Sequence, residues 1–210
     1  SQNYVALKEY EKASLNAQKS YKLNRKNPDA LILLGDLAYG KRDYKGALKF
    51  YKEAMSYDKD SYDADVKTAK AYLELGKKQK AHEILSKVLK NTSDSYEAYY
   101  LISLLDSYKE LAYLKKTIGL NSEFADGWLE LADFERERAN YDLAQTYLNN
   151  AYNLDQTYYK YYYYQGKLFE NLNDNISANY YIEKSKKLNP NFIEEKKEKK
   201  KWQIQKRRIY

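Results

Sequence analysis

The chain has 210 residues, of which 43% are hydrophobic and 32% charged, and a net charge of +7. Seven glycines and two prolines are too few for a strand-and-turn architecture or a flexible linker, whereas Ala, Leu, Glu and Lys recur throughout, so the composition points to helices. No stretch reaches the roughly 20 apolar residues that cross a bilayer, and the absence of cysteine rules out disulfides, thiol nucleophiles and thiolate metal sites, so a soluble protein of the cytoplasm or periplasm is expected.

Ala13, Ala47 and Ala81 stand 34 residues apart, and Ala144 and Ala178 repeat the interval. A two-helix unit of this length cannot bury its apolar face alone and must stack on copies of itself. In chain order, residues 1–28 read as a partial repeat or capping helix: Ala13 is in register, and Ser1 then falls in mid-helix, as in a piece of a longer chain. Units follow at 29–62, 63–96, 97–125, 126–159 and 160–190. In the first of these, Asp29 is placed to cap a helix over 30–39, the turn at 40–43 interrupts it, and a second helix runs over 44–57. Gly46 inside that second helix costs up to about 1 kcal/mol relative to Ala, so stacking must supply the stability.

The third unit is five residues short and has Glu110 where the others have alanine, so a compressed turn or joined helices, with a local change of curvature, is expected there. In the fourth, Asp126, Glu130, Asp133 and Glu137 share one helical face. A straight row of carboxylates offers neither convergent oxygens for a metal nor a second group for acid–base work, so the row reads as an acidic interaction strip. The fifth opens on Tyr158, Tyr159 and Tyr161 to Tyr164. Consecutive helix positions point in all directions, so these cannot all be core. Tyr162 is assigned to the core, while Tyr163 and Tyr164 face away from the outer helices, where tyrosine makes good interface material. Residues 191–210 read as a final helix that caps the last repeat and then projects. It carries Lys196, Lys197, Lys199, Lys200, Lys201, Lys206, Arg207 and Arg208 against three glutamates, so +5 of the net charge lies there and only +2 in the rest.

Chemistry finds little support. Gly35, Gly40 and Lys41 imitate a phosphate-binding loop, but no strand precedes them and Arg42 stands where Ser or Thr would hold magnesium. His82 is the sole histidine and has no second imidazole or cysteine to complete a metal site. The sequons at Asn91 and Asn175 matter only in a eukaryotic secretory pathway. No enzyme activity, cofactor or metal is expected.

Aligned on the period, first helices carry Leu31, Asp65, Tyr99, Trp128 and Tyr162 at one position, then Leu34, Thr68, Ile102, Leu131 and Gln165, then Gly35, Ala69, Ser103, Ala132 and Gly166. Second helices carry Ala47, Ala81, Glu110, Ala144 and Ala178, and later Ala54, Val88, Thr117, Ala151 and Ser185, with a closing proline only at Pro190. This pattern resembles the tetratricopeptide repeat family. The resemblance implies an all-α, right-handed superhelical solenoid of antiparallel helix pairs, with about five repeats plus terminal helices, that acts as a protein-interaction scaffold. It also implies a concave groove lined by first helices, which on this chain holds Asp36, Lys67, Lys70, Tyr100, Leu101, Leu104, Glu130, Asp133, Tyr163, Tyr164 and Lys167.

The expected partner is a protein or peptide segment with apolar anchors and some basic residues, held by the groove and the tyrosine-rich end. Ile32 and Asp36 occupy positions where chaperone-tail binders of the family place their carboxylate clamp, so such a tail is not expected. Self-assembly through the termini is a further expectation. The alternative is an adaptor for nucleic acid or an anionic membrane surface that uses the basic terminal helix. Charge gathered at one end rather than along a groove argues against nucleic acid.

Overall fold

A computed structural model of the chain describes residues 2–58 and 62–190, with side chains from Lys12 onward except at position 13. The terminal helix expected over 191–210 and its eight basic residues lie outside the described residues. Among the described residues every regular element is a helix, and there are eleven. The first compact unit, Ser1–Leu105, contains α1 (Gln2–Leu23), α2 (Pro28–Gly40), α3 (Tyr44–Tyr57), α4 (Asp63–Glu74), α5 (Lys78–Asn91) and α6 (Tyr96–Ser103). The second, Asp106–Tyr210, contains α7 (Glu110–Leu120), α8 (Ala125–Arg136), α9 (Tyr141–Leu154), α10 (Tyr159–Asn171) and α11 (Asn175–Leu188).

Within each unit every helix packs on the next, and α8 also meets α10. The positions facing inward recur with the repeat. Ala47, Ala81, Ala144 and Ala178 are buried, as are Tyr51, Leu85, Leu114 and Leu148, and then Ala54, Val88, Thr117, Ala151 and Ser185. Ala30, Ala64 and Ala98 form another buried column, which Tyr161 continues. Small residues are needed where backbones approach closely. At Gly35 a Cβ would run into the Tyr51 ring, which lies against the helix and is itself buried.

Four turns inside the helix pairs share one construction. The residue just before the second helix's N-cap is left-handed: Arg42 (φ 61°), Gly76 (φ 70°), Ala139 (φ 62°) and Asn173 (φ 59°). The next amide then reaches back to the first helix, from Asp43 to the Ala38 carbonyl (2.9 Å), Lys77 to Tyr72 (2.8 Å), Asn140 to Glu135 (3.0 Å) and Asp174 to Phe169 (3.0 Å). These bonds satisfy carbonyls that the helix end would otherwise orphan. Asp43 and Asp174 go on to cap α3 and α11 by accepting from the Gly46 and Ser177 amides.

Connections between pairs use side-chain turns instead. Asn24, Asn121 and Asp155 each accept a hydrogen bond from the backbone amide two residues on, at 3.0, 3.0 and 2.8 Å.

Two sequence expectations are corrected. The cap of α2 is Asn27, not Asp29: the Asn27 side chain accepts from the Asp29 and Ala30 amides, and Pro28 opens the helix. The short third repeat has neither a compressed turn nor fused helices. Its helices are themselves short, eight residues in α6 and eleven in α7, and the six-residue connector 104–109 is longer than the turns of three or four residues inside the other helix pairs. Asp106 organises that connector by accepting from the Tyr108 and Lys109 amides. Glu110 is tolerated because α7 begins at that residue, three positions later in the repeat than its counterparts, so the carboxylate sits in the first turn rather than between packed helices.

Candidate functional site

The residues that the repeat pattern assigns to a groove fall in both units, six in the first and five in the second. Several tie one first helix to the next. In the first unit Asp36 of α2 accepts from the Tyr51 hydroxyl (2.8 Å) and from Lys67 Nζ of α4 (3.1 Å). Burial works against the charge of Lys67, yet Asp36, Asp63 and Glu97 outweigh it and hold its pKa above the usual lysine value. Burial, reinforced by the bond to Asp36, pushes the Tyr51 hydroxyl far up from its usual range. Further along the same helices, the Tyr39 hydroxyl donates to Glu74 (2.9 Å) and Lys70 Nζ sits 5.4 Å from the Tyr39 ring centre. In α6, Leu101 is buried and Tyr100 half-buried, as is Leu104 just after the helix end.

The second unit repeats this arrangement between α8 and α10. Asp126 accepts from the Tyr158 hydroxyl (2.6 Å) and from Lys160 Nζ (3.1 Å), and burial together with Asp126 raises the Tyr158 pKa strongly. Glu130, only 7% exposed, accepts from the Tyr164 hydroxyl at 2.9 Å. Arg136 donates twice to Asp133 (2.8 and 2.6 Å) and once to Asn171 of α10 (2.7 Å), and it lies 3.7 Å from Glu137. The four carboxylates of the acidic row are thus engaged by side chains of the same unit. The half-buried Tyr163 and Tyr164 rings meet edge to face at 5.5 Å, and Lys167 Nζ lies 5.5 Å from the Tyr163 ring centre.

Tyr161 and Tyr162 are both buried. Tyr161 packs against Tyr152 at 4.8 Å, and the Tyr162 hydroxyl donates to the Gln156 carbonyl at 2.6 Å. Sequence reasoning left Tyr161 unassigned, although it occupies the buried column of Ala30, Ala64 and Ala98. It also passed over the reciprocal amide pair Gln145–Gln165 (3.1 and 2.7 Å) and the buried Glu135, which accepts from Asn140 (2.7 Å). One signal for the inter-helix ties was available: residues of opposite charge, or a tyrosine and an acid, recur 31 to 35 positions apart, as in Asp36 and Lys67 or Glu130 and Tyr164. Among the described residues no cluster of metal-ligating side chains occurs, and no helix is long and apolar enough to cross a membrane.

Stacked helix pairs, a recurring turn construction and a 34-residue period define a helical repeat protein. Two sequence models, each described as tetratricopeptide repeat, match residues 1–64 and 38–105. The chain belongs to the tetratricopeptide repeat family. It is 29% identical over 126 residues to the TPR repeat-containing protein YsoA of Bacillus subtilis (strain 168), a match that covers 54% of this chain and 37% of YsoA. The chain therefore spans little more than a third of that relative's length.

Among solved structures, the APC/C hetero-tetramer Cut9–Hcn1 aligns with a TM-score of 0.77 at 16% identity, over 90% of this chain and 39% of that one. YrrB, described as a TPR protein with an unusual peptide-binding site, aligns with a TM-score of 0.52 at 17% identity, over 83% and 93%. At these identities the likeness to the solved structures is one of fold.

Proposed function

We propose that the chain is a non-enzymatic scaffold that binds a partner segment carrying apolar anchors and basic residues on the faces of its first helices. The observation that carries this reading is the α8–α10 face. There Tyr163 and Tyr164 offer half-buried aromatic surface, Tyr164 bonded to Glu130, beside a row of carboxylates of which Asp126, Glu130 and Asp133 are already fixed by hydrogen bonds. A face organised in advance loses little side-chain entropy on binding, and tyrosine supplies large contact area with few rotatable bonds. In the first unit, Tyr100 and Leu104 together with Asp36, Lys67 and Lys70 form the corresponding surface. The peptide-binding site that the description of YrrB names fits this reading.

The test is a fluorescence-anisotropy titration with peptides that alternate Leu or Phe anchors with Lys and Arg, set against the same peptides with Asp and Glu. The basic set is expected to bind more tightly. Tyr163→Ala, which removes aromatic surface while Tyr158 and Tyr164 keep their bonds to Asp126 and Glu130, is expected to weaken that binding by about tenfold or more. Equal affinity for the acidic set, or an unchanged affinity in Tyr163→Ala, would overturn the proposal.

A further inference from the structure

Outside those faces, three lysines converge on one aromatic ring in the first unit. Tyr72, in α4, is only 7% exposed. Around its ring centre stand Lys52 Nζ of α3 at 5.4 Å, Lys80 Nζ of α5 at 5.8 Å, and Lys77 Nζ, from the turn before α5, at 6.0 Å. The ammonium groups thus come from three successive elements, and the cluster bridges two neighbouring repeats. Among the described residues no carboxylate pairs with any of the three, whereas Lys67, Lys160, Lys167 and Lys186 each meet an acid within 4 Å. The charged groups acting most strongly on the Tyr72 hydroxyl are these same lysines, and they draw its pKa below the usual tyrosine value, the hydrogen bond from Lys52 leading.

Three like charges around a buried ring repel one another, and an oxyanion with several acceptor oxygens relieves that repulsion while accepting from all three ammoniums. α5 also begins at this place, and its N-cap, Lys77, makes no side-chain cap bond, so the positive end of the helix adds to the same potential.

We propose that Lys52, Lys77 and Lys80, with the Tyr72 hydroxyl, form a binding site for a phosphate-class oxyanion, separate from the partner-binding faces. The site takes a single phosphoryl group, which a free phosphate or a phospholipid headgroup can supply.

The experiment titrates the full chain with inorganic phosphate at constant ionic strength, following backbone amide shifts by NMR. A parallel arm measures co-sedimentation with phosphatidylcholine vesicles with and without phosphatidic acid. Saturable shifts confined to residues around Tyr72 and the start of α5 are expected. They should weaken at least about tenfold in Lys52→Gln/Lys77→Gln/Lys80→Gln and stay unchanged in Lys19→Gln/Lys22→Gln/Lys90→Gln, which removes the same charge elsewhere. Tyr72→Phe keeps the buried ring and should weaken binding less than the triple variant. Vesicle binding lost in the first triple variant alone assigns the headgroup source, and binding of phosphate without vesicles assigns the free ion. Equal losses in both triple variants, or shifts that grow without saturating, would overturn the proposal, since both describe diffuse charge rather than a site.

Discussion

At the scale of the residue, buried tyrosines and the small residues that admit them govern stability. Tyr51 lies against Gly35 and hands its hydroxyl to Asp36, so three neighbouring repeat positions act together. Gly35→Ala is expected to cost about 1–3 kcal/mol, because the added carbon must displace a ring with nowhere to go. Gly119→Ala makes the same change where nothing lies within 4 Å, and is expected to gain about 0.5–1 kcal/mol from helix propensity. Urea unfolding of the two variants checks both signs.

Tyr161 links packing to pH. Burial first, and then the neighbouring tyrosines 181, 152 and 162, push its hydroxyl from 10.0 up to about 12. Below pH 10 the proton is held in both folded and unfolded chains. Between the two pKa values only the unfolded chain releases it, so the stability that Tyr161 contributes is present below pH 10 and falls as pH rises towards 12. Tyr161→Phe is expected to make the decline of stability across that window shallower, measured by urea unfolding at a series of alkaline pH values. An unchanged decline would mean that this hydroxyl is not protected by burial.

At the scale of the element, the turn inside four of the helix pairs depends on one left-handed residue, and only one of the four is glycine. A side chain in that conformation costs about 1 kcal/mol. Gly76→Ala is therefore expected to destabilise by about 1 kcal/mol, and Ala139→Gly to recover part of the same amount, offset by the greater freedom of glycine in the unfolded chain. Ties between first helices are testable in the same way. In a double-mutant cycle with Tyr164→Phe and Glu130→Gln, a coupling of about 0.5–3 kcal/mol is expected if the 2.9 Å bond holds α8 to α10. A coupling near zero would show that the pair contributes only packing.

Much of this scale was open to sequence reasoning, because the buried alanines repeat where second helices cross first ones. A further column was equally visible: Asn24, Asp58, Thr92, Asn121, Asp155 and Asn189 keep the register through the short third repeat. These are turn formers, and four of them accept a hydrogen bond from the amide two residues on. The start of α7 was not legible, because Glu110 is as acceptable in the first turn of a helix as it is foreign to a packed interface. Only the position of the helix end separates the two cases.

At the scale of the whole chain, the family and its helical architecture follow from periodicity, since stacking forces the same positions inward in each repeat. The candidate surface is harder to read. The sequence shows which residues lie on first-helix faces, but whether Glu130 is a free charge or a buried acceptor depends on which neighbour reaches it, and Tyr164 does so from 34 positions away. Much of the apparent acidic strip serves to hold helices together, and the proposed partner surface therefore rests on the half-buried tyrosine rings of α10.

The most direct measurement of that central claim is amide NMR mapping of the full chain during titration with the basic–apolar peptide. Shifts are expected on the first helices, around Tyr163, Tyr164 and Lys167 of α10 and around Glu130 and Asp133 of α8, with α9 and α11 largely undisturbed. Shifts concentrated on α9 and α11 instead, or none at saturating peptide, would contradict it.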